Sequence, residues 1–336
     1  MGASDLAGVV KRRLANVLLT GERLAGPEDV VRHLTAVQSQ DYAPALWSLG
    51  QRSVTDGSAP DVTAPDGTTP EDAVHAAFQV GRILRTHVLR PTWHFVLSED
   101  IRWILALTAP RVHQLNAYYY RQLGLDDAAF AQSQDVLVGA LAGGAHLTRA
   151  QITTAFAAAD LPTSGLGFAY VLLHAELDGL ICSGAMVGRR HTHALLAERA
   201  PAGRVLSDEE ALAELTLQYF TSHGPATAKD LHWWSSLTLK NIAAGIALVG
   251  DRLEHTEVDG LKFFSAPPTT PEPARAGPSP RLHLIQGYDE YVVGYTESKR
   301  LLLPSGPARA GAPESNRFNL LVLLDGAVVG EWKRTL

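Results

Sequence analysis

Leu147-Thr-Arg-Ala-Gln-Ile-Thr-Thr-Ala-Phe156, followed by Gly165-Leu-Gly-Phe-Ala-Tyr-Val-Leu-Leu-His-Ala-Glu-Leu177, Leu180-Ile-Cys-Ser183 and Val187 to Leu195, is the stretch that decides the fold. Thr148 and Gln151 have the capping-box spacing, in which a hydroxyl and an amide satisfy the first free N–H groups of a helix, here through Phe156. Gly165 and Gly167 mark a turn, a second helix spans Phe168 to Leu177, and Gly179 ends it. Two strands around Gly184 then complete the order helix, turn, helix, wing. In a winged helix the second helix usually reads the major groove. Here it is strongly apolar and predicted to be buried, which favours packed modules sharing a cleft over independent base-reading heads.

The same order recurs on both sides. Downstream, Ser207 and Glu210 open a third module with helices over Ala211–Ser222, Thr227–Trp234 and Leu239–Leu248, and a wing of Leu253–Val258 and Leu261–Ser265 turned at Asp259-Gly260. Upstream, a less regular first module has helices over Leu6–Leu19, Pro27–Val37, Tyr42–Leu49 and Pro70–Val80. Strands Ile83–Leu89 and Thr92–Val96 follow, then a helix capped by Ser98 through Leu107. Arg281–Tyr295 and Phe318–Trp332 contribute strands at the end, with a hairpin at Asp325-Gly326. The predicted class is α+β, mainly helical: three tandem winged-helix modules packed around a cleft, with a C-terminal β segment. The boundaries are 1–140, 141–204, 205–266 and, for a proline-rich linker with the β segment, 267–336. Gly57–Pro70, Pro267–Pro280 and Pro304–Pro313 read as long loops or linkers.

At 336 residues and 46% hydrophobic content, the chain has ample core for more than one module. No apolar run approaches the ~20 residues that span a membrane, and Met1–Val10 lacks the apolar segment of a secretory leader, so the default location is cytoplasmic. A single cysteine, Cys182, rules out an intrachain disulfide and a multi-cysteine zinc site. Net charge of −6 argues against retention on nucleic acid by bulk electrostatics. Local basic sets remain as candidate phosphate contacts or solvated faces: Lys11-Arg12-Arg13, the trio Arg82, Arg85 and Arg90, the pair Arg189-Arg190, and Lys299-Arg300.

Between Leu34 and Arg52 a core-like pattern breaks at Gln38-Ser39-Gln40 and restarts after Asp41. Residues two apart on a helix point about 200° apart, so both amides reach one pocket only where the backbone is extended or a helix ends. Asp41 suits such a break, with a carboxylate placed to cap a helix from Tyr42. The amides alone admit two readings, loop satisfaction or a polar site. Strand alternation puts Thr92 and His94 on one face, Trp93 and Phe95 on the other, and Thr92 with His94 is either a polar site pair or a backbone-satisfied one. Asp289 and Glu290 suit either orienting a catalytic water or capping strand-end amides, with the structural role favoured, and Trp233-Trp234 reads as core. His191, His193 and Cys182 are incidental rather than a metal set, and no metal or cofactor is expected. The chain lacks G-x-x-x-x-G-K-[ST], G-x-S-x-G and H-E-x-x-H, so nucleotide hydrolysis, common hydrolase and zincin chemistry have no support.

Four blocks in order carry a resemblance: Ala36-Val-Gln-Ser-Gln-Asp-Tyr-Ala-Pro-Ala-Leu-Trp-Ser-Leu-Gly50, Leu89-Arg-Pro-Thr-Trp-His-Phe-Val96, Gly224-Pro-Ala-Thr-Ala-Lys-Asp-Leu-His-Trp-Trp-Ser235 and Tyr288-Asp-Glu-Tyr-Val-Val-Gly294. Over nearly its whole length the chain resembles the AlkZ-like winged-helix DNA glycosylases. No lysine adjoins the two amides, so such an enzyme is expected to be monofunctional; no cofactor is expected, and three packed modules suffice for work as a monomer. The resemblance implies excision of bulky alkylated purines, including natural-product adducts and interstrand crosslinks, from double-stranded DNA. It implies that Gln38 and Gln40 are the catalytic Gln-x-Gln pair and that Thr92 and His94 line the site. Trp93, Arg85, Arg90, Arg189, Arg190, Lys299 and Arg300 are the further candidate DNA contacts. Two departures stand out: Ser39 replaces a usually apolar residue, and Arg90-Pro91-Thr92 replaces the more usual Arg-Gly-Thr, which stiffens that backbone. Relatives generally continue with further β structure beyond the point matching Leu336. The rival readings are a winged-helix transcriptional regulator and a damage-binding protein without catalysis.

Overall fold

The computed structural model describes residues 3–54, 68–267, 280–302 and 319–333. The stretches read as loops at 57–70, 267–280 and 304–313 fall almost entirely outside the described residues. In chain order the helices are α1 (Ala3–Asn16), α2 (Pro27–Leu34), α3 (Tyr42–Gly50), α4 (Pro70–Val80), α5 (Ile101–Gln122), α6 (Asp127–Leu141), α7 (Arg149–Ala158), α8 (Gly165–Leu177), α9 (Leu196–Arg199), α10 (Asp208–Ser222), α11 (Ala228–Ser235), α12 (Leu239–Val249) and α13 (Glu290–Val293). The strands are β1 (Val37–Gln38), β2 (Ile83–Val88), β3 (Thr92–Leu97), β4 (Leu147–Thr148), β5 (Ile181–Ser183), β6 (Thr192–Leu195), β7 (Glu254–Val258), β8 (Leu261–Ser265), β9 (Leu282–Ile285), β10 (Leu321–Leu324) and β11 (Ala327–Glu331). The architecture is α+β and mainly helical, with small sheets. No helix among the described residues is long and apolar enough to cross a membrane.

By contacts the chain divides into two compact units, one of Met1–Val74 with Leu212–Leu336 and one of His75–Ala211. This division by contact is different in kind from the module boundaries read from repeated element order, and its borders fall inside α4 and α10.

Unit 75–211 is built on α8. Phe168, Val171, Leu172 and Ala175 of that helix join Tyr120, Phe130, Leu137, Ile152, Phe156 and Ile181 in one buried cluster. Its predicted burial is therefore observed, and an apolar face committed to a core offers no polar reading surface. α7 begins with the expected capping box: Gln151 N–H reaches Thr148 Oγ1, and Thr148 N–H reaches Gln151 Oε1. β2 and β3 form an antiparallel hairpin in register from Ile83↔Leu97 to Val88↔Thr92. The predicted helix from Ser98 to Leu107 is instead α5, with Asp100 at its N-cap, and it continues through Pro110 to Gln122. Burial of Ile104, Leu105, Ala109 and Val112 offsets the missing N–H. α6, absent from the sequence reading, starts where Asp126 accepts from Ala129 N–H.

The border falls inside α10, which Ser207 and Glu210, both on the 75–211 side, open with the second expected capping box; the rest of that helix lies in the other unit. Thr227 with Asp230 and Thr238 with Asn241 add two more. The hairpin β7–β8 turns at Asp259 (φ 52°) and Gly260 (φ 72°), and the hairpin β10–β11 at Asp325 (φ 48°) and Gly326 (φ 86°). Both central residues have the positive φ that two-residue hairpins demand. Arg281–Tyr295 supplies only β9 as strand. Its second half forms α13, because Asp289 caps that helix by accepting from Tyr291 N–H at 3.0 Å. Arg13, grouped with surface cations in the sequence, is fully buried: it bonds Pro225 O at 2.8 Å and Ser298 Oγ at 2.6 Å and lies over the Tyr295 ring. Trp234 is core, as expected, whereas Trp233 is 47% exposed.

Candidate active site

The Gln-x-Gln segment owes its conformation to an abrupt helix end. Thr35, C-cap of α2, has φ 69° and ψ −50°, and Ala36 N–H donates to Leu34 O at 2.8 Å. That is a γ-turn of the rare positive-φ kind, strained for a β-branched residue. The Thr35 hydroxyl donates to Gln218 Oε1, which helps to hold it. The turn stops α2 three residues earlier than the periodicity predicts and makes Val37–Gln38 extended. The backbone between the two glutamines is thus not helical, which is the circumstance in which amides at spacing two can share a side. Gln38 is 3% exposed, Ser39 is fully buried and Gln40 is exposed. A fully buried middle position explains why an apolar residue suits it. Asp41 does start α3, but through its carbonyl, which accepts from Ala45 N–H at 3.1 Å. The predicted carboxylate cap does not form.

Two adjacent carboxylates anchor this segment. Gln38 N–H donates to Glu290 Oε1 at 2.7 Å, while Glu290 Oε2 accepts from Trp234 Nε1 at 2.9 Å and lies 3.2 Å from His223 Nε2. His223 is stacked on Tyr219 at 4.9 Å between centroids. Asp289 accepts from Arg52 at 2.7 Å and from Ser48 Oγ at 2.9 Å, tying down the end of α3. Asp289, Glu290, Arg52 and Ser48 are all buried. The structural reading of Asp289 and Glu290 was correct in kind. What they support, the backbone of the glutamine motif itself, left no signal in sequence across about 250 positions.

The other candidates lie in unit 75–211. His94 is fully buried and its Nδ1 is 2.9 Å from Thr92 O. Thr92 Oγ1 is a buried atom without a hydrogen-bond partner among the described residues. Thr92 N–H donates to Arg90 O at 2.7 Å, an i to i+2 bond centred on Pro91. Trp93 points to the opposite face, as alternation predicts, where the Arg85 guanidinium lies 3.9 Å from its centroid. Arg85 is only 6% exposed, so it is placed to support Trp93 rather than as an open cation. Arg90 is half-buried, and Arg189 and Arg190 are exposed in the turn between β5 and β6. Arg190 borders a cleft of about 340 Å³ with His146, Thr148, Gln151 and Val187. In the first unit, Lys299 and Arg300 sit on a 3-10 turn, Arg300 3.7 Å from Asp259. A larger cleft of about 590 Å³, lined by Leu19, Glu22, Arg23, Arg281 and His283 among others, includes neither motif glutamine.

Beneath Trp93 lies a group that sequence reasoning missed. Glu176, 1% exposed, accepts from His87 N–H at 3.0 Å and from Trp93 Nε1 at 3.3 Å, contacts the His87 ring, and lies 3.5 Å from His193 Nδ1. Burial works to raise its pKa, and His87 and His193 overcome this and hold the carboxyl well below the usual carboxylate range. Because the folded pKa is depressed, the stabilisation is present above the unfolded pKa of about 4.3 and is lost as pH falls through the folded value. Glu176→Gln is expected to cost about 3–5 kcal/mol at pH 7 and to flatten the acid limb, as read by urea denaturation across pH. An unchanged acid limb contradicts this role. Near β5 and β6, burial lowers His191 to about 4, which keeps its imidazole neutral, and pushes the Cys182 thiol up to about 12, which keeps it protonated.

Comparison with known proteins places this geometry. A family model described as "DNA glycosylase AlkZ-like" matches residues 31–336. The "Interstrand DNA cross-link repair glycosylase" of Streptomyces sahachiroi is 25% identical over 316 residues, covering 91% of this chain and 81% of that protein. The solved structure of Streptomyces sahachiroi DNA glycosylase AlkZ superposes with a TM-score of 0.78 at 24% identity, covering 99% of this chain and 88% of the other. The family match and shared fold define a hydrolase acting on N-glycosyl bonds, with DNA as its polymer. The chain belongs to the AlkZ-like DNA glycosylase family.

Proposed function

We propose that this glycosylase is monofunctional and removes bulky, cationic N7- or N3-alkylated purines, interstrand crosslinks among them, leaving an abasic site. The modules behind it are three winged helices, and Gln38 and Gln40 do the catalytic work. The observation that supports this most is the Gln38 backbone held in an extended turn by buried Glu290, with Gln40 beside it in solvent.

An N7- or N3-alkylated purine is already positively charged and leaves without being protonated. The remaining work is to hold a water against the anomeric carbon while oxocarbenium character develops on the sugar. A glutamine both donates and accepts, so two of them fix that water and touch the nucleotide without a charged base. Thr92, with its unpartnered hydroxyl oxygen, contributes a nucleotide contact alongside Trp93 supported by Arg85, and the fully buried His94 lines the site from behind, its Nδ1 2.9 Å from Thr92 O. Arg90, Arg189, Arg190, Lys299 and Arg300 supply cations toward phosphates. Segment 34–52 contains no lysine, so the reaction ends at hydrolysis, without a Schiff-base strand break. The relative named for interstrand cross-link repair supports the crosslink reading.

The test compares duplexes carrying one 7-alkylguanine or one uracil. Neutral uracil needs leaving-group activation that amides do not give, so its release is expected to be slower by about 10²-fold or more. Comparable release of both bases overturns the mechanism.

A further inference from the structure

Within unit 75–211, α5 packs against α8. Three side chains unused by the proposed reaction meet there: His113 of α5, His174 of α8 and Asp178 at the end of α8. His113 Nε2 lies 3.1 Å from Asp178 Oδ1, and His174 Nδ1 lies 3.0 Å from Oδ2. One donor atom from each residue falls within 4.8 Å of the other two, and no other such trio of His, Cys, Asp or Glu is found among the described residues.

An ordinary ion pair aims each imidazole N–H at its oxygen. Here the distances are met with poor angles: both rings lie against the Asp178 carboxylate as ion-pair partners, yet by strict hydrogen-bond geometry His113 Nε2 and His174 Nδ1 are buried atoms without an aligned acceptor among the described residues. Buried polar atoms are rarely left so, and each such case asks for a reason. Two orphaned imidazole nitrogens beside a carboxylate are a donor set of the kind that binds zinc. Ligands about 2.0–2.1 Å from a tetrahedral zinc lie roughly 3.3 Å apart, close to both nitrogen–oxygen separations.

The rings are also oriented from outside. Phe130 stacks on His174 with centroids 3.6 Å apart and planes 18° apart. His113 Nδ1 is 3.1 Å from Tyr120 Oη. With the phenol oxygen accepting from Nδ1–H, the lone pair falls on Nε2, the arrangement in which an outer contact orients a metal-bound histidine.

We propose that His113, His174 and Asp178 form a Zn²⁺ site that joins α5 to α8, with water completing the coordination. Asp178 is partly exposed, so an ion can enter from solvent.

The experiment adds Zn²⁺ to the chelator-treated full chain. At about a hundredfold excess over Kd, Tm is expected to rise by about 4 °C. His113→Asn and His174→Asn abolish the rise and His191→Asn keeps it. Independently of any variant's folding, Zn²⁺ is expected to protect His113 and His174 of the unaltered protein from diethylpyrocarbonate, mapped by mass spectrometry, and to leave His191 reactive. Absence of both the Tm rise and the protection overturns the site, as does a rise that persists in both variants.

Discussion

Replacing either motif glutamine by alanine is expected to slow release of a bulky 7-alkylguanine by about 10²-fold or more, with the fold intact. Positioned donors and acceptors at a reacting centre are typically worth this much. Gln40 is exposed, so its truncation leaves no cavity. Gln38 is buried, but the bond to Glu290 comes from its backbone N–H and survives a side-chain change. Single-turnover kinetics on lesion duplex, with Tm measured alongside, separate chemistry from stability. Full excision by both variants removes the pair from the mechanism.

The second large effect is on stability. Asp289→Leu strips Arg52, 1% exposed at its side chain, of the carboxylate 2.7 Å away and leaves a guanidinium uncompensated in the core. Ser48 Oγ and Tyr291 N–H lose an acceptor as well. The expected cost is about 3–5 kcal/mol, the usual penalty of halving a buried ion pair. The double variant Arg52→Met with Asp289→Leu removes both charges and is expected to lose less than Asp289→Leu alone, since apolar replacement of a whole pair is often nearly neutral. Urea denaturation of the four proteins in the cycle measures this. Simple additivity of the two single costs contradicts coupling between the residues.

What was legible in the sequence was local or periodic. The capping boxes at Thr148 and Ser207 are three-residue patterns with one conformational solution, and both formed. Asp-Gly at 259 and 325 specified its hairpins through backbone sterics alone. The apolar run of α8 announced its burial, and strand alternation separated Thr92 and His94 from Trp93. What was not legible depended on distant partners. Glu290-Tyr-Val-Val293 has strand-like composition, yet the Asp289 cap and burial in the core make it helical. Pro110 falls inside α5 because packing outweighs one lost hydrogen bond. Arg13 reads as a surface cation beside Lys11 and Arg12 until Pro225 and Ser298 are placed around it. Within the site, the two amides stood out as a break in a core pattern. Their supports, the Thr35 γ-turn and Glu290, have no mark in the chain, since a strained turn and a contact spanning some 250 positions are properties of the folded state.

The most direct test of the central claim is to incubate the protein with duplex carrying one bulky 7-alkylguanine and follow both products. Free alkylated base is expected, together with an abasic strand that breaks only on heating or in alkali. Lesion duplex that is bound and returned intact, or undamaged duplex held tightly by sequence with no base released, contradicts the claim and leaves a DNA-binding protein in place of a glycosylase.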